Sequence, residues 1–325
     1  MLFEKPFRHL FWLALSGLLL NLAGWAQTTN STGTATNSRP EDEKQERIVI
    51  EVDLVNISFS VLNKKGGLVT DLQQGDFRVF ENGAPQIITN FSRETDLPLT
   101  IGMLVDTSNS IRDKIKFEQE AAIDFFHSTL RRKKDRGSII SFDSNVKILQ
   151  DFTDDPDVLT TAVKRIKPGG GTKMYDAIYM VCKEKLINEF GTRNVLLLIS
   201  DGDDNMSNES FESALEMAQR AEVSIYTIST NSSGFFGMSA PKEDKILRKL
   251  AEETGGRAFY PGKSDELAQS FYDVGQELRS QYSLAYRSTH KVRDGSFRTV
   301  KIEPSRKDVR VKARKGYYAP RGATS

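Results

Sequence analysis

Three separated stretches of the chain carry oxygen-bearing side chains of the kind that bind a hard metal ion. They provide Asp106, Ser108 and Ser110 in the run LVDTSNS, Thr172 after three consecutive glycines, and Asp201 in the run SDGDDN. Gathered at one point, two carboxylates and three hydroxyls would need a counter-charge, and oxygen donors of these kinds suit a hard divalent cation. The residues therefore predict a metal site, with Mg²⁺ expected and Mn²⁺ or Ca²⁺ as alternatives.

The five side chains can meet only if the segments around them form a suitable sheet. From 98 to 281, apolar strand-like segments alternate with helical segments, which is typical of a mostly parallel sheet covered by helices. We predict strands at 99–105, 136–142, 146–152, 194–200, 223–229 and 256–260, the third being an antiparallel edge, and helices at 111–130, 156–166, 174–188, 210–221, 242–253 and 264–281. In a doubly wound sheet with the strand order 3-2-1-4-5-6, ligands bind where the carboxyl ends of the first and fourth strands meet. Asp106 and Asp201 follow those two strands, so we expect them to share one crevice, which Thr172 reaches from its glycine-rich loop.

The segments on either side of this region alternate as antiparallel strands do. Between 48 and 91, Val55, Ile57 and Phe59 alternate with polar residues, and Asn82-Gly83 predicts a tight hairpin turn between strands at 77–80 and 86–91. Strand-like alternation returns beyond 281, but in too few strands to be stable alone. We therefore predict an α/β fold, in which a doubly wound, mostly parallel six-stranded sheet is inserted in a small split antiparallel β domain. The predicted domains are an N-terminal β unit (47–97), the α/β domain (98–281) and C-terminal strands (282–320) that pack with the N-terminal unit.

The N-terminus has the order of a secretory signal peptide. Basic residues precede an apolar run at 10–20, and small residues follow it up to Ala26. We predict a signal peptide at 1–26 and, because the next stretch is polar without apolar periodicity, a disordered linker at 27–46. An uncleaved membrane anchor is the alternative. In either case the protein is expected to be secreted or periplasmic, outside a bacterial cytoplasm.

Composition excludes several classes of function. The 325 residues include 45 Lys+Arg and 44 Asp+Glu, a formal net charge of +1, so no overall field attracts a nucleic acid. The single cysteine, Cys182, excludes an internal disulfide and a thiolate-built metal site, and its place on an amphipathic helix predicts a core position.

Asp203 and Asp204 are interpreted as solvated loop acids or caps of the next helix. Bases outnumber acids from 287 to 321, which favours a solvated strand face, with contact to an anionic envelope polymer as the alternative.

The metal-ligand pattern resembles that of a known family. Asp106, Ser108, Ser110, Thr172 and Asp201 each match a position of the metal-ion-dependent adhesion site of the von Willebrand factor type A domain, and the resemblance spans about 98–281. The chain also resembles the acidobacterial-type VWFA-related secreted proteins, through the stretches VDLVNISFSV, GDFRVFENGAPQIITNFSRE and RKGYYAP. The resemblance implies that both serines coordinate the metal directly, that the threonine does so in some states, and that the aspartates often act through bound water.

The resemblance also implies a function, which is that of a secreted adhesion-type module and not of an enzyme. In this hypothesis a divalent cation is bridged to an Asp or Glu of a protein ligand. One alternative is a metal-dependent hydrolase or phosphoryl-transfer enzyme, in which Ser108 or a metal-bound water attacks. No histidine is visibly placed as a base for Ser108, and no Gly-x-Ser-x-Gly elbow occurs. A scaffold with an unused metal site is the other alternative.

Overall fold

The computed structural model describes residues 54–93, 96–108, 115–231 and 241–322. The predicted signal peptide (1–26) and linker (27–46) lie outside the described residues, as does Ser110. Among the described helices, none combines the length and the apolar character that crossing a membrane requires.

Strands and helices alternate through the middle of the chain, and strands alone occupy both flanks. In chain order the strands are β1 (Leu54–Asn63), β2 (Phe77–Glu81), β3 (Ala84–Gln86), β4 (Ile88–Ser92), β5 (Leu99–Asp106), β6 (Arg136–Phe142), β7 (Val146–Thr153), β8 (Arg193–Ser200), β9 (Ser224–Ser229), β10 (Ala258–Phe259), β11 (Tyr282–Arg287), β12 (Phe297–Pro304), β13 (Val309–Ala313) and β14 (Gly316–Tyr318). The helices are α1 (Ile115–Thr129), α2 (Pro156–Val163), α3 (Met174–Val181), α4 (Phe211–Arg220), α5 (Lys242–Thr254) and α6 (Ser264–Arg279).

The central sheet has six strands in the order β10-β9-β8-β5-β6-β7. Counted from β5, this is the predicted doubly wound order 3-2-1-4-5-6, and β7 is antiparallel to β6 while the other neighbours are parallel. Side chains alternate between the two faces of the sheet, as the period of a strand requires. Met103 packs in a core with α1, α2 and α6, whereas Leu104 packs in a core with α3, α4 and α5. The prediction of strands buried on both faces is confirmed.

Several elements of this region are shorter than predicted; the helix predicted at 156–166, for example, ends at Val163. The strand predicted at 256–260 is only two residues long, and the helix predicted at 174–188 is α-helical to Val181 and then continues as a π-helical turn, Cys182–Leu186. Cys182 is fully buried, as predicted, and burial raises the pKa of its thiol. The only cysteine is therefore a core residue and not a reactive group.

The flanking strands form two four-stranded antiparallel sheets, ordered β13-β1-β11-β4 and β14-β12-β2-β3. Strands from before the central sheet pair with strands from after it: β1 lies between β11 and β13, and β2 pairs with β12. Their inward faces share one core, which includes Phe59, Phe77 and Tyr282. The domain boundaries themselves stay a prediction.

The turn of the predicted hairpin is confirmed, but the prediction of its second strand is wrong. Asn82 and Gly83 both have positive φ, at 47° and 80°, and β2 and β3 flank them. The strand predicted at 86–91 is interrupted at Ile87, which is 82% exposed, because β3 pairs with β2 in one sheet whereas β4 pairs with β11 in the other. A change of sheet within a continuous run cannot be seen in the alternation of residues.

Candidate metal centre

The carboxyl ends of β5 and β8 lie side by side at one edge of the central sheet. Val105 pairs with Ile199, so the next residues, Asp106 and Ser200, are neighbours. The Ser200 hydroxyl donates to Asp106 Oδ2 at 2.7 Å, and Asp201 follows directly. Asp106 is fully buried, and the charge of Asp201 acts on it. The two predicted carboxylates therefore share the crevice that the strand order predicts.

Ser108 lies against the Asp106 carboxylate. Its backbone N–H donates to Asp106 Oδ1 at 2.8 Å, a short local turn that holds the serine over the end of β5. Ser108 is 7% exposed. One of the two predicted serine ligands is thus hydrogen-bonded to the first of the two aspartates.

The electrostatic state of Asp106 is unusual for an aspartate. Burial raises its pKa from 3.8 to about 6, and the negative charge of Asp201 adds to this rise. Hydrogen bonds from Ser108 and Ser200 oppose the rise in pKa only in part. Among the described residues, neither aspartate forms an ion pair with a basic side chain, and Lys173, which follows Thr172, pairs with Asp176.

The glycine-rich loop is held against the end of β5 and the turn between β6 and β7. Gly169 N–H donates to the carbonyl of Thr107, just after β5, and Gly170 O accepts the Ser144 N–H at 2.8 Å. A Cβ at Gly169 would lie 2.3 Å from an oxygen of Asp143, so a side chain there would push the loop away. The glycine thus permits the close approach that the sequence predicted.

The backbone of Thr172 is hydrogen-bonded to the loop that follows β8. Its N–H donates to Asn205 Oδ1 at 3.1 Å, and its carbonyl accepts the backbone N–H groups of Asn205 and Met206 at 3.2 and 3.1 Å. Thr172 is 3% exposed. The structure therefore brings Asp106, Ser108, Thr172 and Asp201 to the same edge of the sheet, while Ser110 is outside the described residues.

The two acids after Asp201 have different roles. Asp203 is exposed and donates its backbone N–H to Asp201 Oδ1 at 3.0 Å. Asp204 accepts the Tyr175 N–H at 3.0 Å and so caps α3, the preceding helix. Of the two roles predicted for it, the capping of the next helix is wrong, because Ser210 caps α4. The physical reason is that the loop after β8 lies against the first turn of α3, where Ser207 Oγ also accepts the Asp176 N–H.

Sequence reasoning missed two residues that organise this centre, Ser200 and Asn205. Ser200 directly precedes Asp201 and Asn205 follows it by four residues, but their hydrogen bonds go to Asp106 and Thr172, which are distant in the chain. Across the described residues, no group of three or more His, Cys, Asp or Glu side chains could hold a metal ion. The candidate centre contains two carboxylates, and its other donors are hydroxyls.

A family model described as the von Willebrand factor type A domain matches residues 101–273, more than half of the 325 residues. The chain belongs to the von Willebrand factor type A family. Domains of this family are typically adhesion or protein-binding modules. The family resemblance seen in the sequence is confirmed, and the type A domain coincides with the central sheet and its helices.

Several solved structures resemble this chain. The vWF domain of the type V pili tip protein Mfa5 from Porphyromonas gingivalis is 14% identical, covers 56% of this chain and 95% of its own, and has a TM-score of 0.46. An aerotolerance-related membrane protein from Bacteroides fragilis is 14% identical, covers 55% of this chain and 98% of its own, and has a TM-score of 0.45. Proximal thread matrix protein 1 from the mussel byssus, with a zinc-occupied MIDAS motif, is 15% identical, covers 62% of this chain and 50% of its own, and has a TM-score of 0.48. At these identities and scores, none of the three bears on the function of this chain. No curated protein matches it.

Proposed function

We propose that this type A domain is a metal-dependent binding module that captures a protein ligand through an acidic side chain. In the proposal Asp106, Ser108, Ser110, Thr172 and Asp201 hold a divalent cation, for which Mg²⁺ is the first candidate. The module works outside the cytoplasm, as the predicted signal peptide indicates.

The buried Asp106 carboxylate is the observation that carries the proposal. It has no exposed surface, the Asp201 charge acts on it, and no described basic side chain pairs with either acid. An ionised carboxylate in such a position is costly unless a cation compensates it. Hydroxyl and carboxylate oxygens suit a hard divalent ion, so the donor set fits Mg²⁺. A cation held mainly by neutral hydroxyls keeps enough electrophilic character to take up a carboxylate oxygen from a partner.

Neighbouring groups orient the proposed metal ligands. Ser200 and the Ser108 N–H orient the two oxygens of Asp106, and the Asp203 N–H orients Asp201. The glycine-rich loop brings Thr172 to the same edge. Of the two described histidines, His127 is in the last turn of α1 with its Nε2 3.1 Å from Thr160 Oγ1, and His290 follows β11 in the flanking strands. The binding module is therefore better supported than the hydrolase.

We expect Asp201→Ala to weaken cation binding strongly, because only one carboxylate then faces the divalent ion. Mn²⁺ titration of the chain, followed by the EPR signal of the free ion, should show an affinity reduced by more than about 100-fold. Asp124→Ala, which removes an exposed carboxylate of α1, is the matched control and should bind as the wild type does. Wild-type affinity in Asp201→Ala, with unchanged circular dichroism, would contradict the proposal.

The same variant also tests whether the metal is needed to capture a partner. In Mg²⁺ the wild-type chain, immobilised, should retain an envelope protein that is released by chelator and is not retained by Asp201→Ala. Retention that is equally strong in chelator would overturn the metal-bridged mode of binding. Metal-dependent turnover of phosphate or acyl esters that is lost in Ser108→Ala would instead support the enzyme hypothesis.

A further inference from the structure

A continuous series of hydrogen bonds connects two of the proposed ligands through Asn205. Asp203 donates its N–H to Asp201 Oδ1 at 3.0 Å, and Asp203 Oδ2 accepts from Asn205 Nδ2 at 3.4 Å. Asn205 Oδ1 then accepts the Thr172 N–H at 3.1 Å. The side-chain amide of Asn205 thus stands between the aspartate loop and the threonine loop.

The amide is suited to this place because it donates and accepts at the same time. Its oxygen faces the N–H of Thr172, and its nitrogen faces the carboxylate of Asp203. An aspartate would keep the acceptor but would lose the donor and repel Asp203. An aliphatic residue of the same size would lose both contacts.

The backbone of Asn205 reinforces the contact with the threonine loop. Its N–H and that of Met206 both donate to the carbonyl of Thr172, so both polar backbone groups of Thr172 are bonded to this pair of residues. Gly171, with a φ of +75°, leads the chain into this pairing. The place of the Thr172 hydroxyl relative to Asp201 is therefore set mainly from the β8–α4 loop.

We propose that Asn205 is a positioning residue of the metal centre, which sets the Thr172 hydroxyl in register with Asp201 without touching the cation. This inference rests on the proposed function. Groups that orient metal ligands from behind contribute to metal affinity about 10- to 100-fold. Removing the Asn205 side chain leaves the backbone N–H groups of Asn205 and Met206 bonded to the Thr172 carbonyl, so a substitution tests the side-chain amide alone.

Mn²⁺ affinity of Asn205→Ala tests the proposal, with Asn208→Ala as the matched control. Asn208 is an exposed asparagine of the same loop, and its contacts go to Asp176 instead of Thr172 or Asp201. We expect Asn205→Ala to bind Mn²⁺ about 10-fold more weakly and Asn208→Ala to bind as the wild type does. The melting temperature without metal should be the same in both variants, since both residues are exposed.

The Thr172→Ala background separates positioning from general damage. If Asn205 acts by placing the threonine hydroxyl, the loss caused by Asn205→Ala should shrink once that hydroxyl is gone. The same loss of affinity in both backgrounds, or no loss in Asn205→Ala, would overturn the positioning role alone. A wild-type chain that binds no Mn²⁺ would overturn the proposed function and the positioning role with it.

Discussion

Two aspartates of the type A domain show how the neighbours of a buried carboxylate decide its charge state. Asp106 and Asp135 are both fully buried. Burial acts to raise the pKa of Asp135, but hydrogen bonds from Arg131, Arg279 and two backbone amides outweigh it and lower the pKa to about 2. Asp106 has hydroxyl and backbone donors only, and its pKa is raised to about 6. No described basic side chain stabilises the negative charge of Asp106, so a bound cation would stabilise it.

Asp135 is expected to stabilise the fold in a pH-dependent way. Its folded pKa, about 2, is below the unfolded value of 3.8, so its contribution of about 2 kcal/mol is present above pH 4 and is lost as the pH falls towards 2. Asp135→Asn should therefore lower the free energy of unfolding by about that amount at pH 7 and by roughly half of it at pH 3. Urea unfolding at both pH values checks this, with Asp124→Asn as a control for the exposed case. A difference between variant and wild type that does not depend on pH would contradict it.

At the scale of elements, the end of α5 links the type A domain to the flanking strands. Gly255 ends the helix with a φ of +83°, and its backbone lies against that of Arg314, just after β13. A Cβ at Gly255 would lie 2.4 Å from the Arg314 nitrogen. Arg314 in turn donates to the carbonyl of Asn56 in β1 and pairs with Glu222 at 3.0 Å. The end of α5 thus contacts Arg314 directly, and the Arg314 side chain continues the contact to β1.

Gly255→Ala should lower the free energy of unfolding by more than about 1 kcal/mol, because the left-handed conformation and the contact with Arg314 both oppose a side chain. Gly75→Ala is the matched control, since nothing lies within 4 Å of a Cβ at that position. Chemical denaturation of the two variants gives the comparison. Equal stabilities would show that the strands can shift away from the helix without cost.

At the scale of the whole molecule, the stretches GDFRVFENG and RKGYYAP meet in a buried polar cluster. The Glu81 carboxylate accepts hydrogen bonds from the hydroxyls of Tyr286, Ser288 and Tyr317 at 2.9, 2.7 and 2.9 Å, and Arg298 lies 3.5 Å away. These partners come from β11, β12, β14 and the segment after β11, whereas Glu81 is in β2. The cluster therefore joins the first described strands to the last ones, and its carboxylate is compensated by the protein alone.

The strand pairing predicts how pieces of the chain behave. We propose that 98–281 is an autonomous domain, so that fragment should unfold in one cooperative transition and bind Mn²⁺ as the whole chain does. A chain that ends at 281 should leave 54–93 open to protease, because β1, β2 and β4 lose their partners in β11, β12 and β13. Limited proteolysis with mass spectrometry distinguishes the two regions. Protection of 54–93 in the shortened chain would contradict the prediction.

The sequence by itself determined the α/β architecture of 98–281, the order of its strands and the residues Asp106, Ser108, Thr172 and Asp201 as a group. It could do so because hydrophobic periodicity is local and because the carboxyl ends of parallel strands share one edge. Only the tertiary structure decided the exchange of sheets at Ile87, the capping of α3 by Asp204 and the place of Asn205 behind Thr172. Each of these depends on contacts between residues that are distant in the chain, and such contacts leave no periodic trace in the order of residues.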